Sequence, residues 1–269
     1  MEEESRSILW KAIGASAVVV LAIAAAGYYW YQRGSEVNTS APPEAAAPAP
    51  STPTVAAKAE SEYLYPIDEA DADHTTTLDQ SDGKILDAIT QLPGWRASAL
   101  RLLLPKDLVR HIVATVDGLT REKISLQVLP TRPVSGLMQV AGTAKSTSIA
   151  ASNARRYEPY VQALTAIDTA HLATLYRHFY PLFQQAYREL GYPKGYFNDR
   201  LVEVIDDMLE APEPKPPIAV VAPRAMFHYV DPDLEELDCG QKILVRVGSA
   251  NESAIKAKLR QIREAITTH

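Results

Sequence analysis

The hydrophobic positions fall into three regimes along the chain. Between Lys11 and Arg33 no residue is charged, and Ala12 to Gln32 is a 21-residue run built mainly of Ala, Val, Ile and Leu. As a helix it is about 31 Å long, close to the roughly 30 Å hydrocarbon thickness of a bilayer. Trp10 stands at one end and Tyr28, Tyr29, Trp30 and Tyr31 at the other, as rings with an apolar body and a polar tip do at membrane interfaces. The run predicts one transmembrane helix over 12–32. From 33 to 61 the periodicity disappears. Pro42, Pro43, Pro48, Pro50 and Pro53 sit among alanines, removing backbone donors and offering no core, so this stretch reads as a flexible Pro/Ala-rich linker. Its reach is on the order of 30 Å as a coil and approaches about 90 Å in polyproline geometry.

From 62 to 269 helical periodicity dominates. A helix is predicted over 81–90 with Ser81 placed to cap it, then two more over 97–104 and 106–116, parted by Pro105, with Leu108, Ile112 and Val116 facing a core. Residues 124–130 read as a strand or extended pass, and the Gly-, Ser- and Thr-rich stretch 134–148 as irregular. Asn153 is placed to cap a helix through Tyr157, Tyr160 and Leu164. Asp168 or Thr169 restarts it toward Leu190 and Gly191, with Pro181 kinking or dividing it. Asn198 is placed to cap 200–209, where Leu201, Val204, Ile205 and Met208 form a stripe. After the prolines at 212, 214, 216 and 217 come a short strand within 225–230, a helix over 239–247 capped by Asp238, and a last helix from 251 or 252 to 267. Ser249 and Glu252 have the spacing of a capping box. The expected fold class is mainly α: one mostly helical domain over 62–269, with room for a minor sheet.

Composition narrows the classes. With 269 residues, 46% hydrophobic and 22% charged, the chain can bury a real core and is not disordered throughout. The single cysteine, Cys239, excludes an internal disulfide or a cysteine-rich metal site. A net charge of -6 argues against gripping nucleic-acid backbone. Arg6, Lys11 and the amino terminus outweigh Arg33 across the apolar run, which predicts a cytoplasmic tail over 1–11 and a distal domain in the periplasm, anchored in a bacterial inner membrane. Cleavage of a leader near Ala24-Ala25-Ala26 is the competing expectation. The three acidic residues at 2–4 and the aromatic cluster just past the cut favour a retained anchor.

Several runs carry a resemblance. They include Arg155-Arg156-Tyr157-Glu158-Pro159-Tyr160, Tyr180-Pro181-Leu182-Phe183-Gln184-Gln185-Ala186-Tyr187 and Glu189-Leu190-Gly191-Tyr192-Pro193. Further along are Tyr196-Phe197-Asn198-Asp199-Arg200, Asp231-Pro232-Asp233-Leu234-Glu235, Gly240-Gln241-Lys242 and Arg246-Val247-Gly248. Through them the chain resembles an uncharacterised family of proteobacterial proteins, a domain of unknown function. The resemblance covers about 60–269. It implies one N-terminal span, a Pro/Ala-rich arm and one distal periplasmic domain, and it implies no activity or catalytic residue.

Candidate chemistry is sparse. His171 and His178 are seven apart on one predicted helix, a spacing too long for single-metal chelation without a third ligand. Glu203 and Asp206 share a face and resemble an acid/base pair, but Arg200 beside them makes a solvated ion-paired face equally natural. Cys239 follows a carboxylate at a helix start, where dipole and charge oppose each other. No phosphate-cradling glycine loop or nucleophile elbow occurs, so no metal, cofactor or catalytic residue is expected. The unusual feature is a crowd of arginines and tyrosines, from which Arg155, Arg156, Tyr157, Tyr160, Arg177, Tyr180, Tyr187 and Arg200 are the candidate binding residues. Such side chains combine planar apolar area with directed donors. The alternative is that they fill the rim of a core, with Arg156 tied to Asp168 or Glu203.

The leading expectation is a membrane-anchored, non-catalytic interaction or scaffold protein whose partner is another envelope protein or an anionic envelope polymer. The alternatives are an envelope hydrolase or transferase, which needs Asp168, His171, His178, Glu203 or Asp206 to converge in a cleft, and a ligand-sensing accessory protein with a small cavity between helices.

Overall fold

Apolar residues three and four apart have nowhere to go but against one another, and the helices pack on those stripes. In the computed structural model, residues 63–143, 146–223 and 227–268 are described. The predicted span over 12–32 and the linker over 33–61 lie outside them, and no helix among the described residues is long and apolar enough to cross a membrane. The helices are α1 (Ser81–Thr90), α2 (Leu108–Gly118), α3 (Glu158–Ala166), α4 (Thr169–His178) and α5 (Tyr180–Glu189). They continue with α6 (Phe197–Leu209), the one-turn α7 (Pro232–Glu235), α8 (Cys239–Val247) and α9 (Ser249–Thr267). The domain is mainly α-helical, as its periodicity predicts.

Proline and cap chemistry set several boundaries. Pro181 divides α4 from α5, the break falling at Phe179. Asp168 accepts from the His171 amide to cap α4, and Asp238 accepts from the Gln241 amide to cap α8. Other expected caps do different work. Ser81 lies inside α1 and donates to Leu78 O, and α9 begins after Gly248 with no side-chain cap. Asn153 lies in a 3-10 stretch, Ala151–Arg156, and Asn198 is buried within α6. The segments expected as a helix near 97–104 and as a strand or extended pass near 124–130 contain 3-10 turns, Ala97–Leu102 and Leu126–Val128.

α9 is the central strut, packing on α3, α4, α6 and α8, while α2 packs on α5 and α6. The core between them includes Ile85, Ile89, Leu108, Val116, Leu164, Phe179, Phe197, Ile205, Leu244, Ile255 and Leu259. A smaller cluster of Met138, Val220, Tyr229, Leu234 and Val245 sits under two short antiparallel sheets. In one, β1 (Val140–Thr143) pairs with β2 (Ser146–Ile149), and Val140 faces Ile149. In the other, β3 (Val220–Val221) pairs with β4 (His228–Tyr229). The first hairpin stands where an irregular stretch is expected. Gly142, at φ +100°, approaches Ser146 O so closely that a Cβ would lie 2.0 Å from it, which only glycine tolerates. A bridge from Ser148 to Ala219 joins the two sheets.

Candidate functional site

The chain enters the domain as a strap. Leu64 and Tyr65 donate their backbone amides to the Asp199 carboxylate at 3.2 and 2.8 Å, and Asn198 Nδ2 donates to Tyr65 O at 2.9 Å. Both clamp residues lie in the first turn of α6. The Tyr63 ring stacks on Tyr196 with centroids 3.9 Å apart, and its hydroxyl donates to Tyr180 Oη at 2.9 Å. Eight residues on, a second latch closes: the Asp73 amide donates to His178 O, and His178 Nδ1 lies 2.7 Å from Asp71 O. Between the latches the strap forms one wall of a groove of about 670 Å³, with Pro66, Ile67, Asp68 and Asp71 on it.

The opposite wall is α4, which presents His171, Thr174, Leu175, Arg177 and His178, while the end of α1 and the tail of α9 close the ends. A turn at Gly94 sets this position: its φ is +86°, and a Cβ would meet Ala166 O at 1.7 Å. The groove therefore brings together His171, His178 and Arg177. His171 Nδ1 lies 2.7 Å from Asp168 Oδ1, whose pKa is lowered first by the His171 backbone amide it caps. Thr174 Oγ1 donates to Ala170 O, and Arg177 Nη1 to Ala265 O. Glu203 and Asp206 are held outside the groove by Arg200 and Arg263. No acid, base and nucleophile converge here.

Behind the groove lies an apolar cavity of about 100 Å³, among residues of α1, α2, α4, α5, α6 and α9. An unfilled volume of that size costs roughly 2 kcal/mol.

The eight Arg and Tyr candidates fall into three groups and one outlier. Arg156 donates to Ser135 O, Gly136 O and Asn153 Oδ1 and lies 5.6 Å from the centre of the Tyr157 ring; it ties the loop before β1 rather than Asp168 or Glu203. Buried Tyr160 donates toward Arg132 O and Pro133 O, and burial pushes its phenol up to about 12. Tyr180 donates to Gln184 Oε1 and receives Tyr63 under the strap, near Arg177 on the groove. Tyr187 stacks on Tyr192 beside Arg200, which donates to Asp117 Oδ1 at 3.2 Å and to Asp117 O at 3.0 Å. Arg155 alone of the eight is exposed.

Several working residues carry little local signal. Asp117 ends an apolar helix and is buried, yet gathers Arg121, Arg200 and Tyr192. Lys256 and Lys258 lie on the inner face of α9. Lys258 donates to Ile167 O and Thr169 Oγ1, and Lys256 to Ala211 O, Glu213 and Glu252. Burial, with Asp238 adding to it, pushes the Cys239 thiol up to about 11, the opposite of an activated nucleophile. Among the described residues no group of three His, Cys, Asp or Glu could hold a metal ion.

Among the described residues the chain is thus a mainly helical domain with a groove closed on one side by a strap. Residues 108–263 match the family described as "Protein of unknown function (DUF3014)", and the chain belongs to that family. No curated protein and no solved structure matches the chain.

Proposed function

We propose that this chain is a single-pass protein of a bacterial inner membrane that presents a non-catalytic binding domain in the periplasm. In this reading residues 1–11 are cytoplasmic, 12–32 span the bilayer, 33–61 give reach, and 62–269 bind another envelope protein or an anionic envelope polymer. The observation that carries it is the strap. Residues 63–65 are clamped by Asp199, Asn198 and Tyr180, which supports a domain held at the end of an arm. The length and aromatic flanks of the 12–32 run support the anchor, and exposed Arg155 offers its fork to a carboxylate-bearing partner.

Two fusions test the topology. Alkaline phosphatase at the C-terminus is expected to be active and green fluorescent protein dark, and deleting 12–32 should move the chain to the soluble fraction. A fluorescent C-terminus ends the reading. A photo-crosslinking amino acid at position 155 is expected to give a discrete adduct in intact cells, lost in competition with an anionic polymer or partner but absent with the probe at exposed Arg188. Equal adducts at both positions remove the binding face. The ligand-sensing alternative draws its support from the apolar cavity.

A further inference from the structure

The cavity between the helices is lined so that water has nothing to hold. Two side chains on its wall carry oxygen or hydroxyl groups, and both point elsewhere. The Tyr176 hydroxyl donates to Asn198 Oδ1 at 3.2 Å, and Thr169 Oγ1 is occupied by Lys258 Nζ at 2.7 Å and Gln261 Oε1 at 3.1 Å. The rest of the wall is aliphatic or aromatic. A trapped water needs about two to four polar partners, and a dry void of ~150 Å³ takes up benzene or xenon instead. At about 100 Å³ this cavity suits the end of a hydrocarbon chain and not a sugar, nucleotide or metal ion.

The groove under the strap supplies the way in. Leu175 and Ile266 line both the cavity and the groove, so these side chains stand between the apolar interior and a space of about 670 Å³. The groove wall is mixed: Arg177, His171 and His178 face Asp68 and Asp71, a lining for a polar head without a single required charge. The strap over it is held by hydrogen bonds at its two latches and by the Tyr63–Tyr196 stack, with Tyr65 and Ile67 resting on the core.

We propose that cavity and groove together bind a single-chain amphiphile, its hydrocarbon end among Leu172, Phe179, Phe183 and Ile262 and its polar head beneath the strap. This does not depend on where the domain resides in the cell.

The full chain, in whichever fraction of its host it is recovered, is photolabelled with an octanol bearing a diazirine, and the adducts are mapped by mass spectrometry. Adducts are expected on Leu172, Leu175, Phe183 or Ile266, and excess plain octanol should reduce them by roughly tenfold or more while leaving adducts elsewhere unchanged. Ala173→Leu, which places a larger side chain at a buried lining position, should abolish the same adducts. Lining residues that stay unlabelled, or labels that octanol does not displace, overturn the proposal. So do undiminished labels in a folded Ala173→Leu protein. Should that variant not fold, competition in the unaltered chain decides alone.

Discussion

Two carboxylates on the buried side of the domain are treated in opposite ways. Asp117 is nearly inaccessible, its side chain 4% exposed, and cations surround it: Arg121 and Arg200 donate to its oxygens, with the Tyr192 hydroxyl at 3.2 Å. Asp207 is less enclosed, yet its buried Oδ2 finds no N–H or O–H donor and faces the carboxylate of Asp238. Desolvation, and then the Asp238 contact, push Asp207 up to about 7, with Glu210 adding to the rise and Arg200 opposing it. Asp238 is fixed by the Gln241 amide at the start of α8, where the helix favours an anion, so the shared proton belongs on Asp207. The deeper carboxylate is ringed by donors, and the shallower one, desolvated without a donor of its own, is the one whose pKa climbs.

The largest effect expected is at Arg200. Arg200→Ala strips two hydrogen bonds from buried Asp117 and should cost about 3 kcal/mol in denaturant unfolding. Arg200→Lys should recover only part of this, because an ammonium cannot reproduce the fork. A fully stable Ala variant would mean that Arg121 and Tyr192 suffice. Asp199 extends the comparison, as a carboxylate satisfied by backbone amides. Asp199→Ala should make local release of the strap easier by about 1.4 kcal/mol, read as a roughly tenfold faster exchange of the Leu64 and Tyr65 amides. Unchanged exchange would show the tyrosine stack to be the real anchor.

Asp207 sharpens the contrast through pH. Its folded pKa lies above its unfolded one, so the native state takes up a proton between about pH 4 and 7. The stability this brings is fully present below about pH 4 and is lost progressively as pH rises to about 7. Asp207→Asn keeps the neutral form. It should raise stability by ~1 kcal/mol at pH 8, discounted for partial exposure, and leave it nearly unchanged at about pH 3.5, below the unfolded value. An equal effect at both pH values would dismiss the shared proton. The smallest change belongs to Glu203, whose side chain is 66% exposed opposite Arg200. Glu203→Ala should stay within about 0.5 kcal/mol.

What the sequence makes legible is what depends on near neighbours. The break before Pro181, the Asp238 cap and the stripe of Val204, Ile205 and Met208 follow from spacings of one to four residues, and the structure has them. That the chain belongs to an uncharacterised family is readable from short runs as well, and the match spans 108–263. What stays hidden is set by partners far along the chain. Asn198 and Asp199 read as helix-start residues, but their work is to hold Tyr65, more than a hundred residues earlier. Lys258 carries no local signal, and the carbonyl that receives it belongs to Ile167, far earlier in the chain. The hairpin over 140–149 is hidden for another reason: its Ser, Thr and Gly content is that of a loop, and β1 is exposed along its length. The arginine and tyrosine crowd is visible as composition, but composition does not say that the four candidate tyrosines are buried while none of the four arginines is.

α9 carries a consequence for biosynthesis. It packs on α3, α4, α6 and α8, yet every one of these precedes it in the chain. A nascent polypeptide emerging from the ribosome thus displays four greasy surfaces for as long as translation of this strut is pending. During that interval those faces have no permanent cover, and a premature stop ahead of Ser249 would leave them without it for good.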